Sequence, residues 1–318
     1  MKLTNAQLNY FVAKALKLQP GKRKDYLGQV DFLITRLEAK IKEDGSFKVK
    51  GFKKTGSLMK GTVLRPKGDD GVDADVAVYL DLSEASKGDI SLLHQIIRKL
   101  VCAVYPQKSN GDFLVQPRTL GIHFRDSGLD VDLVPIVPIP GQPGYGWQPS
   151  AQQGTPVKTS VEGQLGFIKK RSDGDPNYRA LVRLLKKWRN VNELDQLRSF
   201  LIELLLAHLQ DIHGPATSLE EGIQRFFLYL AQSQLLERVS FPENGNVNQY
   251  PAGVVVVVDP VNNSNNVALR LTDGERKEII GAAETAWERI STASFTGAKG
   301  DTLELWKEVF GRSFVIED

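Results

Sequence analysis

Four aspartates set as two Asp-x-Asp pairs are the residues of this chain best suited to chemistry. Asp73 and Asp75 open the apolar run of DADVAVYL, and Asp130 and Asp132 open that of LDVDLVPIV. In a strand, side chains two apart share a face, so each pair projects together. If the two strands are neighbours, three or four carboxylates converge. Left uncompensated, such a cluster raises at least one carboxyl pKa sharply. A hard divalent cation resolves the repulsion, and magnesium takes oxygen ligands from a few carboxylates, water and substrate phosphates. Two such ions about 4 Å apart clamp the attacking and leaving oxygens of a phosphoryl transfer. An Asp-x-Asp pair on its own is also an ordinary strand-end feature, and Asp69-Asp70-Gly71 reads as an exposed turn with no chemistry.

Gly56-Ser57 sharpens the reading. Glycine lets backbone amides approach a phosphate, and a hydroxyl adds a donor. No GxxxxGK[ST] is present, so this is not a P-loop. A Gly-Ser pair alone means little. Followed by a basic linker, an Asp-x-Asp on a strand and a later acid on a second apolar strand, it becomes a specific combination.

The elements that must hold these residues follow from periodicity. Helices are predicted over 4–17 and 24–43, the second from Val30, Leu33, Ile34, Leu37 and Ile41 at three- and four-residue spacing, ended by Asp44-Gly45. Strand signals lie in FKVKGF, ADVAVYLDL, 118–124 and 129–137, with a helix over 90–104 between the second and third. The Pro/Gly-rich stretch 138–158 reads as a lobe boundary or functional loop. Beyond it the pattern is helical over 160–171, 177–190, 197–213, 218–237, 273–292 and 301–310, interrupted by an irregular segment at 241–266. A mixed α/β lobe over 1–158 followed by a helical lobe over 159–318 is the expected domain organisation.

The 318 residues carry a net charge of +3 and a single cysteine, Cys102. So mild a charge does not by itself indicate nucleic-acid binding. One cysteine excludes an internal disulfide and a cysteine zinc site, and fits a reducing, cytoplasmic setting. The N-terminus lacks the compact apolar core of a secretory signal, and no apolar run approaches the roughly 20 residues of a membrane span. Lysines gather over 40–67 and 169–189, which suits an anionic ligand or a solvated face.

GSLMKGT…DADVAVYL followed by SGLDVDLVPIV resembles the nucleotidyltransferase superfamily of DNA polymerase beta, poly(A) polymerases and oligoadenylate synthetases. Within it, the match is to the bacterial CD-NTases, the cGAS/DncV-like nucleotidyltransferases. The resemblance spans about residues 25–315. It implies an α/β (α+β) fold with a polymerase-beta-like lobe, a helical C-terminal lobe and the active site in the cleft between them. It implies that Asp73, Asp75 and Asp132 bind two Mg²⁺ ions (Mn²⁺ as a substitute), with Asp130 the alternative third acid, and that Gly56 and Ser57 hold the triphosphate. ALVRLLKKWRN resembles the helix whose lysine, here Lys186, reaches the triphosphate; the alternative is that Lys186 or Lys187 decorates a solvated face. RSFLIELLLAHL resembles the next helix, where a serine, here Ser199, contacts phosphate; an N-cap role is the alternative. VVVVVDPVNNSNNVA resembles the segment in which an aspartate, here Asp259, and asparagines fix a turn. The charged stretch LRPKGDDGV is longer than the family pattern and leaves that loop's contacts undefined.

The implied activity is condensation of NTPs, ATP among them, into a cyclic di- or trinucleotide messenger for CBASS anti-phage defence, with release of pyrophosphate. A HORMA-domain regulator and double-stranded DNA are the implied partners, and no membrane. A linear oligoadenylate or RNA-adenylating transferase is the alternative enzyme, and a silent binding module the alternative class. His94, His123, His208 and His213 show no metal-ligand spacing and read as structural or surface residues. Tyr145 and Trp147 either stack on a base or anchor their loop. Lys48, Lys50, Lys53, Lys54 and Lys60 face solvent, substrate or nucleic acid.

Overall fold

The computed structural model describes residues 1–45, 48–68, 70–81, 92–116, 119–149 and 156–317, without the side chains of Leu92 and His94. Phe47, Asp69, Leu82, the start of the helix expected over 90–104, Arg118, residues 150–155 and the His94 side chain therefore lie outside the described residues. The chain forms two compact units, Leu18–Leu165 and Met1–Lys17 together with Gly166–Asp318. The expected boundary fell at 158/159; here Met1–Lys17 packs with the second half of the chain and the division falls at 165/166.

The sheet unit contains α2 (Pro20–Asp44), β1 (Lys48–Thr55), α3 (Gly56–Lys60), β2 (Val72–Asp81), α4 (Leu92–Val104), β3 (Phe113–Val115), β4 (Leu120–Phe124), β5 (Leu129–Pro138), β6 (Gly146–Gln148) and β7 (Val157–Thr159). It follows α1 (Asn5–Phe11) in the chain. Proline in the first turn and Gly45 in the left-handed conformation bound α2, as a preset φ and a Cβ-free terminus favour. The strand order is β1-β2-β5-β4-β3, with β6 on β5 and β7 on β6. β2 and β5 run parallel and every other pairing is antiparallel, so the sheet is mixed.

Alternation sorts the two central strands cleanly. Val72, Ala74, Val76, Val78 and Leu80 of β2 and Leu129, Val131 and Leu133 of β5 pack on one face against Val30, Leu33, Leu37 and Ile41 of α2 and Leu93, Ile97 and Leu100 of α4. Burying each such side chain contributes ~1.5–3 kcal/mol. The other face buries Ala77, Ile136 and Val161. Asp73, Asp75, Asp130 and Asp132 belong to that second face by period two.

The helical unit holds α1, most of α5 (Val161–Gly174), α6 (Tyr178–Val191), α7 (Ser199–His213), α8 (Leu219–Ser233), the hairpin β8 (Val258–Asp259) and β9 (Asn262–Asn266), α9 (Asp273–Phe295) and α10 (Lys299–Phe310). Thr4 and Gln7 close a capping box on α1. Nearby, Leu3 N donates to the buried Glu220 carboxylate at 2.6 Å and Leu219 N to Asn5 Oδ1 at 2.7 Å. Trp188 of α6 packs against Phe227 of α8 with ring centroids 4.8 Å apart. The expected turn in VVVVVDPVNNSNNVA is a hydrogen-bonded knot. Asp259 accepts from Val261 N and Asn265 Nδ2, and Asn266 bridges Val255, Val257 and Ala268.

A buried cation anchors an ion-pair network in the helical unit. Arg171 donates from Nη1 and Nη2 to both oxygens of Glu243, and from Nη2 to Asp211 Oδ2 at 2.9 Å. These bonds hold the Glu243 carboxyl at about 2, well below its ordinary 4.5. A depressed folded-state pKa gives stability that is present above the unfolded value and is lost as pH falls through the folded one. The thermal midpoint of Glu243→Gln should therefore lie below wild type at neutral pH. The gap should close between pH 4.5 and about 2, as thermal scans in that window would show.

No helix among the described residues is long and apolar enough to cross a membrane.

Candidate active site

The pairing of β2 with β5 brings the four aspartates together two by two. In the parallel register Asp73 stands beside Asp130 and Asp75 beside Asp132. Neighbouring strands are ~4.8 Å apart, so each cross-strand pair shares a patch of sheet surface. Leu129 and Val131 beneath them are fully buried, while the four acids range from half-buried to exposed.

β1 places Gly56-Ser57 at the same point. Thr55, its last residue, lies in register with Asp75, and the chain then turns into α3. Gly56 adopts φ +72°, a conformation glycine takes without steric cost. A Cβ built on it would sit 1.7 Å from Asp75 Oδ2, so the absence of a side chain is what lets this turn lie against the carboxylate. Arg23 of α2 holds the turn from below, donating from Nη2 and Nε to the Leu58 carbonyl at 3.0 and 3.2 Å.

β4 distinguishes the two acids of β5. His123 lies opposite Asp130 and Gly121 opposite Asp132. His123 Nδ1 bonds Asp130 Oδ1 at 2.7 Å. Asp132 Oδ1 accepts a longer bond, 3.3 Å, from the Thr119 hydroxyl. Burial raises the Asp132 carboxyl above its ordinary value, the Asp73 and Asp130 charges add to that, and the Thr119 bond partly opposes it. A carboxylate with raised proton affinity beside two further acids is where a cation gains most. The donors are all carboxylate oxygens, a set that fits a hard divalent cation rather than zinc or copper. Among the described residues no three such side chains are drawn into a finished ligand set.

In the helical unit, Lys186 and Lys187 are both buried, each 6 % exposed, which rules out a solvated face for either. Lys187 Nζ lies against Gly311, at the carbonyl end of α10, a position that favours a cation. Ser199 is the first residue of α7, and Arg198 holds the cap position without a side-chain bond, so the alternative role of Ser199 as a cap is not what the structure shows. Its hydroxyl accepts from Arg189 Nη1 at 3.1 Å.

No protein-family model matches the chain. Over 318 residues it is 41% identical to the CBASS oligonucleotide cyclase CdnC of Escherichia coli strain KTE188, covering 100% of this chain and 99% of that one. The chain belongs to the CBASS oligonucleotide cyclases. This cyclase is therefore a nucleotidyltransferase that makes a cyclic oligonucleotide for defence. It is also 35% identical over 317 residues to the cyclic AMP-AMP-AMP synthase of E. coli strain MS 115-1, covering 96% of this chain and 95% of that one. The solved structure of E. coli MS115-1 CdnC with ATP superposes with a TM-score of 0.86 at 33% identity, covering 98% and 99% of the two chains. The CdnC:HORMA-deltaN complex from the same strain gives 0.84 at 30%, covering 98% of each. Nucleotidyltransferases of this kind generally use divalent metal ions.

The remaining residues of the cyclase weighed in the sequence fall into place. Trp147 lies on β6 with its ring 40 % exposed, and Lys158 covers the Tyr145 ring at 4.5 Å. Lys50, Lys53 and Lys54 pair with Asp81, Glu162 and Asp31. Sequence reasoning did not single out Arg23, Thr119 or Arg189, and it read His123 as a structural or surface residue. Their signal exists only once register and packing are known.

Proposed function

We propose that this cyclase builds its messenger from ATP at a site formed by Gly56, Ser57, Asp73, Asp75 and Asp132, with Lys186 and Ser199 holding phosphates. The observation that carries this is the register, which sets Thr55, Asp75 and Asp132 side by side on β1, β2 and β5. Asp73, Asp75 and Asp132 would hold two Mg²⁺ ions. When bound, these ions supply charge neutralisation on the triphosphate and a lowered pKa for the acceptor hydroxyl. The chain's own residues do the rest. Gly56 and Ser57 present the turn beside Asp75 to the triphosphate. Asp132 takes the hydroxyl proton as the ribose oxygen bonds the α-phosphorus and the bond to the pyrophosphate oxygen breaks. Lys186 and Ser199 orient the phosphates, which favours one direction of attack.

Ser199 Oγ receives the Arg189 guanidinium, which only donates, so the serine's own proton points elsewhere, in this reading to a phosphate oxygen. Ser199→Ala should raise KM for the nucleotide by about tenfold, ~1.4 kcal/mol, the scale of one hydrogen bond to a charged group, with kcat changing less; steady-state kinetics decide.

By analogy with the relatives, the product is a cyclic triadenylate, the regulator a HORMA-domain protein and the setting the cytoplasm, where nucleoside triphosphates are plentiful. The test is incubation of the purified protein with labelled ATP, CTP, GTP and UTP plus magnesium, followed by phosphatase. It is run alone, with a HORMA-domain protein and with duplex DNA. A phosphatase-resistant product from ATP alone supports the reading. Linear, phosphatase-sensitive oligoadenylate would overturn ring closure, and a product lacking adenosine would overturn the substrate.

A further inference from the structure

The two Asp-x-Asp pairs offer a metal site two equivalent third ligands, and something must choose between them. Asp130 and Asp132 lie on one face of one strand, each beside an acid of β2. We propose that His123 is a positioning residue that ties Asp130 down and so leaves Asp132 as the third metal ligand, an inference that rests on reading Asp73, Asp75 and Asp132 as the ligand set.

One oxygen of Asp130 is hydrogen-bonded and the other lies close over a glycine. Oδ1 takes His123 Nδ1 at 2.7 Å. Oδ2 fills the space over Gly71, where a Cβ would lie 2.3 Å from it and 3.1 Å from the Gly128 carbonyl. His123 is itself held. It sits directly across the antiparallel ladder from Asp130, its carbonyl accepts from Lys108 Nζ, and that same ammonium lies 4.4 Å over the ring of Phe124, the next residue. Asp132 has a different neighbour. Gly121 opposite it offers no side chain, and the Thr119 hydroxyl at 3.3 Å is a neutral donor that a cation displaces readily. The imidazole thus ties down one of the four acids and leaves three carboxylates to face a cation.

The experiment uses the full chain and Mn²⁺ binding read by electron paramagnetic resonance of the free ion, with kinetics alongside. His123→Phe keeps a ring and removes the donor, and His123→Leu provides a second donor-free variant should the first fold poorly. The expected result is a severalfold tighter Mn²⁺ affinity, because Asp130 is released into the site, together with a lower kcat, because a fourth carboxylate disturbs the ligand geometry. Adding Asp130→Asn to His123→Phe should restore the wild-type Mn²⁺ affinity, while Asp130→Asn alone should leave it unchanged. Wild-type Mn²⁺ affinity in both His123 variants, or a change that Asp130→Asn does not reverse, overturns the inference and leaves the ligand set standing. Unchanged Mn²⁺ binding in Asp132→Asn, with loss in Asp130→Asn, overturns the ligand set itself.

Discussion

Asp73→Asn/Asp75→Asn should lose at least on the order of 10³-fold in cyclisation rate while folding as well as wild type. The expected loss corresponds to ~4 kcal/mol of transition-state stabilisation, at about 1.4 kcal/mol per decade, and lies within what a metal-centred charge clamp supplies. Stability should move the other way. Asp73 raises the proton affinity of Asp132 through its charge, which measures a repulsion present in the folded protein. Removing two charges from one face relieves that repulsion, so the thermal midpoint without metal should stay level or rise. A phosphatase-protection assay beside a thermal scan tests both halves. A double variant that still makes product would remove these acids from the chemistry. One that is inactive only because it unfolds would leave them with a structural role.

Gly56→Ala is the second large effect, and it should damage activity and stability together. The left-handed φ of +72° costs a non-glycine residue ~1–2 kcal/mol. The new methyl would stand 1.7 Å from Asp75 Oδ2 and 2.7 Å from its Cγ, so one of the two must move. Forcing atoms into filled space costs a further ~1–3 kcal/mol. If the turn moves, Ser57 leaves its place; if the carboxylate moves, a proposed metal ligand is lost. Product formation should fall by about 10²-fold or more, with a loss of roughly 2–4 kcal/mol in denaturant titration. Gly45 also has positive φ, +65°, but a Cβ there meets nothing within 4 Å. Gly45→Ala should therefore show only the smaller conformational cost, which separates strain from the clash with Asp75.

Much of this was visible in the sequence wherever periodicity was long. The apolar spacing of α2 gave its buried stripe, and the alternation in DADVAVYL and LDVDLVPIV gave both strands and the face their acids share. Short elements were not legible. α3 has five residues and starts on glycine, and β3, β6 and β7 have three each, two of them inside or at the edge of a Pro/Gly-rich stretch that reads as loop. Burial of Lys186 and Lys187 was hidden for a related reason, since LLKKW is compatible with a helix exposed on one side and only packing shows otherwise. The tie between Asp130 and Asp132 could not be broken from spacing, because period two treats them alike. What separates them is the residue across the ladder, His123 in one case and Gly121 in the other, and register between strands is a property of the folded chain.

The way Met1–Lys17 belongs with the second half of the chain has a consequence for biosynthesis. The sheet unit is one continuous stretch, complete as soon as Leu165 has left the ribosome. The helical unit is bracketed around it. α1 is made before the sheet unit, yet Glu220, which accepts from Leu3, and Leu219, which donates to Asn5, are made some two hundred residues later. That helix must therefore wait for these partners while the sheet unit is made. The carboxylates proposed to bind cations are in register before the lysine and serine proposed to hold the phosphates have been translated, so a nascent chain can assemble its acids well before it can turn over a nucleotide.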